Sequence, residues 1–293
     1  MKRESIDLQM HTVFSDGTDS PGELILRVKE AGIGLFSATD HDTLKCADVI
    51  PSLLKPGDPA FIAGAEFSCR DELGKYHILG YGFDPEAAAI RAAAERGHAM
   101  RMKKLEARLE LLKTQFGFEF PEEEIGALKA MDNPGKPHIA AVMVKCGYAK
   151  TGEEAIHAFI DRLRYAGEYM RPEEAIRCVS ESGGIPVLAH PAFGDGDQHI
   201  DGEELDKRVR RLTELGLKGM ECFYSGFGAA LRAEALRIAE RNGLYVTCGS
   251  DYHGQNKPVR PGDTGLDAER EYPDGLKRFL RDISSRGHTA PKA

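Results

Sequence analysis

The sequence predicts an α/β fold with a mainly parallel sheet, interrupted by a block of helices. Two observations carry that prediction. Short apolar runs alternate with helix-length segments at both ends of the chain, and such alternation implies parallel strands joined by crossover helices. Between roughly residues 86 and 175 the segments are helical and no strand pattern interrupts them. The length of 293 residues suits two domains or a single α/β barrel of about 250 residues equally well.

Ser5–Leu8 reads as a short strand. Ser20 caps a helix that runs to about Ala31, with Pro21 in its first turn and Gly32 ending it. Leu35–Ala38 is a strand, Thr43–Leu54 a helix, and Phe61–Gly64 and Tyr76–Phe83 are strands. Ala87–Phe116, rich in Ala, Arg, Lys, Leu and Met, reads as one long helix. Helical stretches follow at Glu122–Met131, Pro137–Cys146, Gly152–Arg164 and Pro172–Ser182. Alternation then resumes with strand Ile185–Ala189, helix Glu203–Leu215, strand Gly219–Tyr224, helix Ala229–Asn242, strand Leu244–Cys248 and helix Gly275–Ser285. The tail from His288 to Ala293 is expected to fray. No internal repeat or low-complexity segment is present.

Composition narrows the function classes. At 41% hydrophobic residues the chain can fold, and disorder is not expected. No apolar run approaches the roughly 20 residues of a membrane span, and Met1–Lys2–Arg3–Glu4 opens no signal peptide, so a cytoplasmic protein is expected. The net charge of −8 argues against a coat on duplex DNA. Small anionic substrates remain open, because a metal or a local basic patch outweighs the global sign. Cys46, Cys69, Cys146, Cys178, Cys222 and Cys248 form no CxxC pair and read as small buried hydrophobes in a reducing compartment.

The strand ends carry the chemistry. Asp7, Gln9 and His11 alternate onto one face, and Asp16 follows five residues after His11. The next strand ends in Thr39–Asp40–His41–Asp42, the third in Gly64–Ala65–Glu66. His77 lies within a strand, and later strands end in Ala189–His190–Pro191 and Ser250–Asp251–Tyr252–His253. For one histidine alone, a satisfied loop or core group is the simpler reading. The repeated placement at strand ends favours a metal site of imidazoles and carboxylates, suited to Mn²⁺, Fe²⁺ or Zn²⁺.

These motifs, in this order and over nearly the whole chain, resemble those of the PHP (polymerase and histidinol phosphatase) superfamily. The helical insertion resembles the branch acting on nucleoside 3′,5′-bisphosphates and the 5′ ends of short RNAs. The resemblance implies a distorted seven-stranded β/α barrel from residues 1–85 and 176–293, with 86–175 as an inserted helical cap. It also implies two to three divalent metal ions, Mn²⁺ before Zn²⁺, Fe²⁺ or Mg²⁺. His11, Glu66 and Asp251 would hold one ion. Glu66 would bridge to another held by His77 and His190, and Asp16, His41 and His253 would hold a third. Asp40 would orient a ligand from behind. The family's Asp-x-His-x-His is here Asp7–Leu8–Gln9–Met10–His11, so Gln9 stands where an imidazole is usual. A carboxamide oxygen binds hard cations but holds late transition metals less well.

Two ions sharing Glu66 would supply a bridging hydroxide that attacks a phosphate monoester, and would neutralise the phosphoryl charge. Asp16, His41 or His253 would assist the leaving oxygen, with Asp40 behind them. From the insertion, Lys136 and His138 match a segment that contacts substrate phosphate in the related branch, beside a helix N-terminus. Arg171 offers a bidentate phosphate contact and Tyr224 a ring for a base. Each has a bland alternative: a solvated lysine, a capping histidine, a surface arginine, a packed tyrosine. Helix segment Arg91–Lys113 has seven basic residues and three acidic ones, which either form an ordinary solvated face or guide a nucleotide or short RNA end.

No P-loop and no Gly-x-Ser-x-Gly elbow occurs. The sequence reading is therefore a metal-dependent phosphoesterase acting on a small phosphorylated nucleotide, without membrane or duplex DNA as partner. Its rivals are a 5′→3′ exonuclease on short RNA, which needs an open channel, and a non-catalytic phosphate binder weakened at Gln9. Histidinol phosphate hydrolysis is a further enzymatic alternative.

Overall fold

The computed structural model describes residues 5–194, 198–285 and 289–290. Its strands form two sheets. One has the order β1 (Ser5–Asp7), β2 (Ile33–Phe36), β3 (Ala60–Ile62), β9 (Thr289–Ala290). The other runs β4 (Gly64–Asp71), β5 (Gly74–Tyr81), β6 (Ile185–Leu188), β7 (Gly219–Tyr224), β8 (Tyr245–Gly249). One continuous seven-stranded barrel is not seen.

The sheets are joined at two places. Leu8 N–H donates to Cys248 O at 2.9 Å and Met10 bridges Tyr252 in parallel, tying the end of β1 to β8. On the other side His41 bridges Glu66, tying the end of β2 to β4. The expectation of a mainly parallel sheet is corrected: β4 pairs antiparallel with β5, and β5 with β6. The cause is β4, a strand absent from the sequence reading. Its Ala65, Phe67 and Cys69 are buried, alternating with Ser68 and Arg70. A short turn then returns the chain as β5, and two strands joined so tightly must be antiparallel.

Helix α1 (Pro21–Glu30) starts as expected, with Ser20 and Glu23 forming a capping box. It packs with α2 (Lys45–Leu53) over β1–β3, around Leu24, Val28, Phe36 and Ile50. A larger core, including Phe67, Ile78, Tyr81, Val187 and Phe279, fills the space under β4–β8. Helices α7 (Pro172–Glu181), α8 (Gly202–Glu214), α9 (Ala229–Arg241) and α10 (Asp274–Ser284) cover that sheet.

Helix α3 (Ala88–Phe116) links this body to a separate core. Its first half places Ile90, Ala93 and Met100 in the large core. Its second half joins α4 (Glu122–Ala130) and α5 (Lys136–Lys145) around Leu109, Leu112, Leu128 and Met143. The helix expected at Gly152–Arg164 is broken. A turn of α6 (Gly152–Glu154) widens into a π turn over Ala155–Phe159 and tightens to a 3₁₀ turn over Ile160–Arg162. The change of pitch lets Ala155, Phe159 and Ile160 all reach that core.

Thr289–Ala290 pairs antiparallel with β3, against the expected frayed tail. His288, the rest of the tail after Ala290, and Met1–Glu4 lie outside the described residues. The six cysteines are free, and five are buried. No helix among the described residues is long and apolar enough to cross a membrane.

Candidate metal centre and its pocket

Backbone pairing beyond the strand ends builds the site. His11 N–H donates to Tyr252 O at 2.8 Å, and Asp251 N–H to Gln9 O at 2.8 Å. Thr39 N–H donates to Met10 O at 2.8 Å, and Asp42 N–H to Glu66 O at 2.8 Å. Four segments thus lie side by side and deliver His11, His41, Glu66 and Asp251 to one place. Ala189 N–H donates to His77 O at 3.0 Å, which sets His190 beside His77. Among the described residues Asp42, His190 and Asp251 are the non-glycine residues with positive φ, at 55°, 25° and 57°. Such backbone strain gathers where a site demands a particular side-chain direction.

Glu66 is the centre. Its Oε2 lies 3.1 Å from His11 Nε2 and 3.7 Å from His41 Nδ1. Its Oε1 lies 2.7 Å from His77 Nδ1 and 3.2 Å from His190 Nε2. Asp251 Oδ1 is 3.2 Å from His11 Nε2 and 3.5 Å from His253 Nδ1. Asp16 Oδ1 is 3.3 Å from His253 Nε2 and 3.9 Å from His41 Nε2. Donor atoms gather within 4.8 Å of one another in three sets: His11–Asp16–His41–His253, His41–Glu66–His77 and His11–Glu66–Asp251.

The charge states suit cations. Burial pulls Glu66, Asp16 and Asp251 upward, yet the facing histidines, with Lys257 at Asp251, hold all three well below the usual carboxylate range. Burial pushes His41 and His77 down, towards the neutral imidazole that binds metals. His11 runs the other way. Burial would lower it, but Asp251 and Glu66 raise it well above its ordinary value. A proton held there does what a cation between those carboxylates would do. His41 Nδ1 and Gln9 Oε1 are buried without a hydrogen-bond partner, lone pairs that a cation would satisfy. The residues present therefore fit divalent ions.

No family model matches the chain. A phosphoribosyl 1,2-cyclic phosphate 1,2-diphosphodiesterase from Eggerthella lenta is 30% identical over 264 residues, spanning 85% of this chain and 94% of the relative. The chain belongs to the PHP family of metal-dependent phosphoesterases. The 3′,5′-nucleoside bisphosphate phosphatase of Chromobacterium violaceum is 26% identical over 294 residues, 96% of this chain and 97% of that one. A crystal structure described as a metal-dependent phosphoesterase from Bifidobacterium adolescentis superposes with a TM-score of 0.81 at 26% identity, over 97% of this chain and 96% of the other.

In this PHP phosphoesterase the cluster opens into a pocket whose facing wall is basic. Arg101, Lys104, Arg108, Lys136 and Lys257 line it, with Tyr224. Gln9 Nε2 donates to Glu66 Oε2 at 3.2 Å, so the carboxamide sits beside the central carboxylate. Asp40 lies outside the three donor sets. It accepts from Thr12 N–H at 2.8 Å and from Ser15 Oγ at 2.7 Å, and Ser15 Oγ is 3.4 Å from His11 Nδ1. Tyr224 Oη donates to Asp251 Oδ2 at 2.9 Å. Lys136 reaches the pocket while paired with Asp161.

Two expected substrate contacts are placed differently. His138 Nδ1 accepts from Gly135 N–H at 2.9 Å, which makes it the cap of α5 rather than a pocket wall. Arg171 does not line the pocket; Glu72 and Glu173 hold it, each at 3.1 Å. Its place before Pro172 resembles an anion site in sequence, but two carboxylates already occupy the guanidinium.

Sequence reasoning missed three groups and counted a fourth, Arg101, only among the seven basic residues of Arg91–Lys113. Lys257 Nζ is paired with Asp251 Oδ2. Asn256 Nδ2 donates to Asp16 O at 2.8 Å. Glu221, wholly buried in β7, accepts from His190 N–H at 2.9 Å, and burial raises its carboxyl well above the ordinary range. Arg101 donates to Asp42 Oδ2 at 2.7 Å and to Ser68 Oγ at 3.0 Å. A signal for the last existed: Arg101, Lys104 and Arg108 recur at i, i+3 and i+7, one face of a helix.

Proposed function

We propose that this phosphoesterase hydrolyses a phosphate monoester of a nucleotide-type substrate, with a nucleoside 3′,5′-bisphosphate as the leading candidate. The observation that carries the reading is Glu66, whose two oxygens are shared among four imidazoles below a basic wall. Cations on the carboxylates and cations on the helices together match a dianionic phosphoryl group better than an amide. The bisphosphate choice rests on the relative of that name.

His11, Glu66 and Asp251 would hold one divalent ion, with Gln9 Oε1 at hand. Glu66, His77 and His190 would hold another, and Asp16, His41 and His253 a third. When bound, the ions, Mn²⁺ first, supply Lewis acidity and activate the attacking water. The chain's own groups do the rest. Arg101 and Lys257 bind phosphoryl oxygens. Tyr224 and Lys257 fix the Asp251 carboxylate from its outer oxygen. Asp16, His41 and His253, as ligands of that third ion, would position a water whose proton goes to the leaving oxygen. Asp40 holds the Thr12–Ser15 loop and, through Ser15, the His11 ring.

In this reading residues 1–85 and 176–293 form the catalytic body and 86–175 a cap that supplies the basic wall. Counting β3 and β4 as one bent strand turns the two sheets into a seven-membered ring. The six free cysteines support a reducing, cytoplasmic setting.

The test is phosphate release from adenosine 3′,5′-bisphosphate, adenosine 5′-monophosphate and histidinol phosphate, with Mn²⁺ and with chelator, for the native chain and Gln9→His. The expected result is Mn²⁺-dependent release from the bisphosphate by the native chain. Metal bound without turnover on any ester would make the protein a phosphate binder instead. Activity confined to Gln9→His would locate the defect at Gln9.

A further inference from the structure

Glu221 lies wholly buried in β7, and among the described residues no cation pairs with it. The charged groups that face it are Asp251, Glu66 and Asp7, all carboxylates. Burying a carboxyl in such company is unfavourable, and a methionine would fill the same room without that penalty. The fold nevertheless makes space for the acid. A Cβ at Gly249, the last residue of β8, would stand 2.4 Å from Glu221 Oε1 and 2.5 Å from Gln9 Cβ. Only a glycine there leaves both side chains in place. Glu221 Oε1 has no hydrogen-bond partner, so no wider polar network accounts for the residue. Its other oxygen, Oε2, accepts the N–H of His190 at 2.9 Å.

His190 needs such an anchor. Its φ of 25° is a left-handed value, rare for a residue with a Cβ. Pro191 follows, and a residue before proline is driven further towards extended backbone. Main-chain pairing with β7 stops short of it: Val187 pairs with Gly219 and Leu188 with Met220. Two residues on, the Glu221 side chain takes the N–H that a main-chain carbonyl would take in the ladder. Phe193 N–H donates to His190 O at 3.0 Å and closes the turn. The turn aims His190 Nε2 at Glu66 Oε1, 3.2 Å away, and sets it 3.2 Å from His77 Nδ1. An extended backbone at His190 would redirect its Cβ and swing the imidazole off Glu66.

We propose that Glu221 is a positioning residue: its oxygen pins the His190 N–H, keeps the left-handed turn, and so holds the imidazole against Glu66 and His77. The bond needs an acceptor oxygen rather than a charge. Its loss should loosen the Glu66–His77–His190 donors and spare Asp16, His41 and His253. The inference rests on the metal-centre reading of those donors.

Two readouts test it, one of them free of metal. In chelator, proton–nitrogen correlation spectra of the histidine rings identify the His190 signal as the one lost in His190→Ala. Glu221→Met, similar in volume, is expected to move that signal. Glu221→Gln, which keeps an acceptor, is expected to leave it in place. When Mn²⁺ is titrated into chelator-treated protein, Glu221→Met should weaken one bound ion by about ten- to a hundred-fold, as loss of a ligand's supporting hydrogen bond does. Glu221→Gln should bind Mn²⁺ as the native chain does. On a His190→Ala background, Glu221→Met should weaken Mn²⁺ no further. If the Met variant does not fold, Glu221→Thr, too short to reach the His190 N–H, takes its place. An unmoved His190 signal, Mn²⁺ affinity untouched by Glu221→Met, equal losses in the Gln and Met variants, or a further loss on the His190→Ala background overturns the inference. A moved signal in a chain that binds no Mn²⁺ would instead overturn the metal reading and leave Glu221 as the anchor of His190.

Discussion

The strand ends and helix α3 furnish opposite walls of one pocket by different means. At the strand ends, carboxylates and imidazoles are buried, and backbone hydrogen bonds between neighbouring segments fix where each emerges. On α3, Arg101, Lys104 and Arg108 are half-buried, and helical spacing alone gathers them. The first wall is rigid and pre-organised, as reacting groups need to be. The second is a set of long cations, of which Arg101 is fixed by Asp42 and Ser68 while Lys104 and Arg108 have no carboxylate partner among the described residues. Chemistry should therefore fail when the first wall is altered, and affinity when the second is.

Glu66→Gln strikes the first wall hardest. It removes the charge shared by all four imidazoles, and kcat should fall by about three orders of magnitude. Elemental analysis should show the metal content falling with it. Full metal content in that variant would mean that Glu66 does not hold the ions.

Arg101→Ala comes next, because Arg101 spans the two walls. Its side chain is 13% exposed, and its removal leaves Asp42, 3% exposed, as a buried carboxylate with no cation, held only by the Ser68 N–H at 3.0 Å. Urea unfolding should show a loss of about 3 kcal/mol. A loss below about 1 kcal/mol would mean that water reaches Asp42 and that the walls are joined by other contacts.

Lys257→Ala should lower kcat/KM by about a hundred-fold, the usual cost of one preorganised cation or donor. Its effect should fall mainly on kcat, since Lys257 sits with Asp251 rather than on α3. A pure rise in KM would assign Lys257 to the α3 wall. Arg171→Ala should change kcat/KM by less than about two-fold and stability by less than about 0.5 kcal/mol, as an exposed pair does. A larger effect in the phosphate-release assay would restore Arg171 to the substrate.

Legibility in the sequence followed the same division. His11, His41, Glu66, Asp251 and His253 were readable because strand ends bring local motifs to one rim, so spacing along the chain stands in for spacing in space. β4 was missed although Ala65, Phe67 and Cys69 alternate, because Glu66 looked like the end of β3 rather than a position inside the next strand. With it went the antiparallel half of the second sheet. Glu221 was unreadable: between Met220 and Cys222 it looks like an outward-facing polar residue, and only the pairing of β7 with β8 turns it inward under His190. Arg171 misled for the converse reason, since its partner Glu72 is distant in sequence. The break in the helix after Gly152 depends on which residues the third core accepts, and no local propensity records that.

We propose that the strand-end donors hold more than one divalent ion and that phosphate ester hydrolysis depends on those ions. Titrating chelator-treated protein with Mn²⁺, with bound metal and phosphate release followed on the same samples, tests it most directly. Two to three ions are expected to bind per chain, with activity rising only as the sites around Glu66 fill. Full activity at less than one ion per chain, or saturation with no gain in activity, would contradict it.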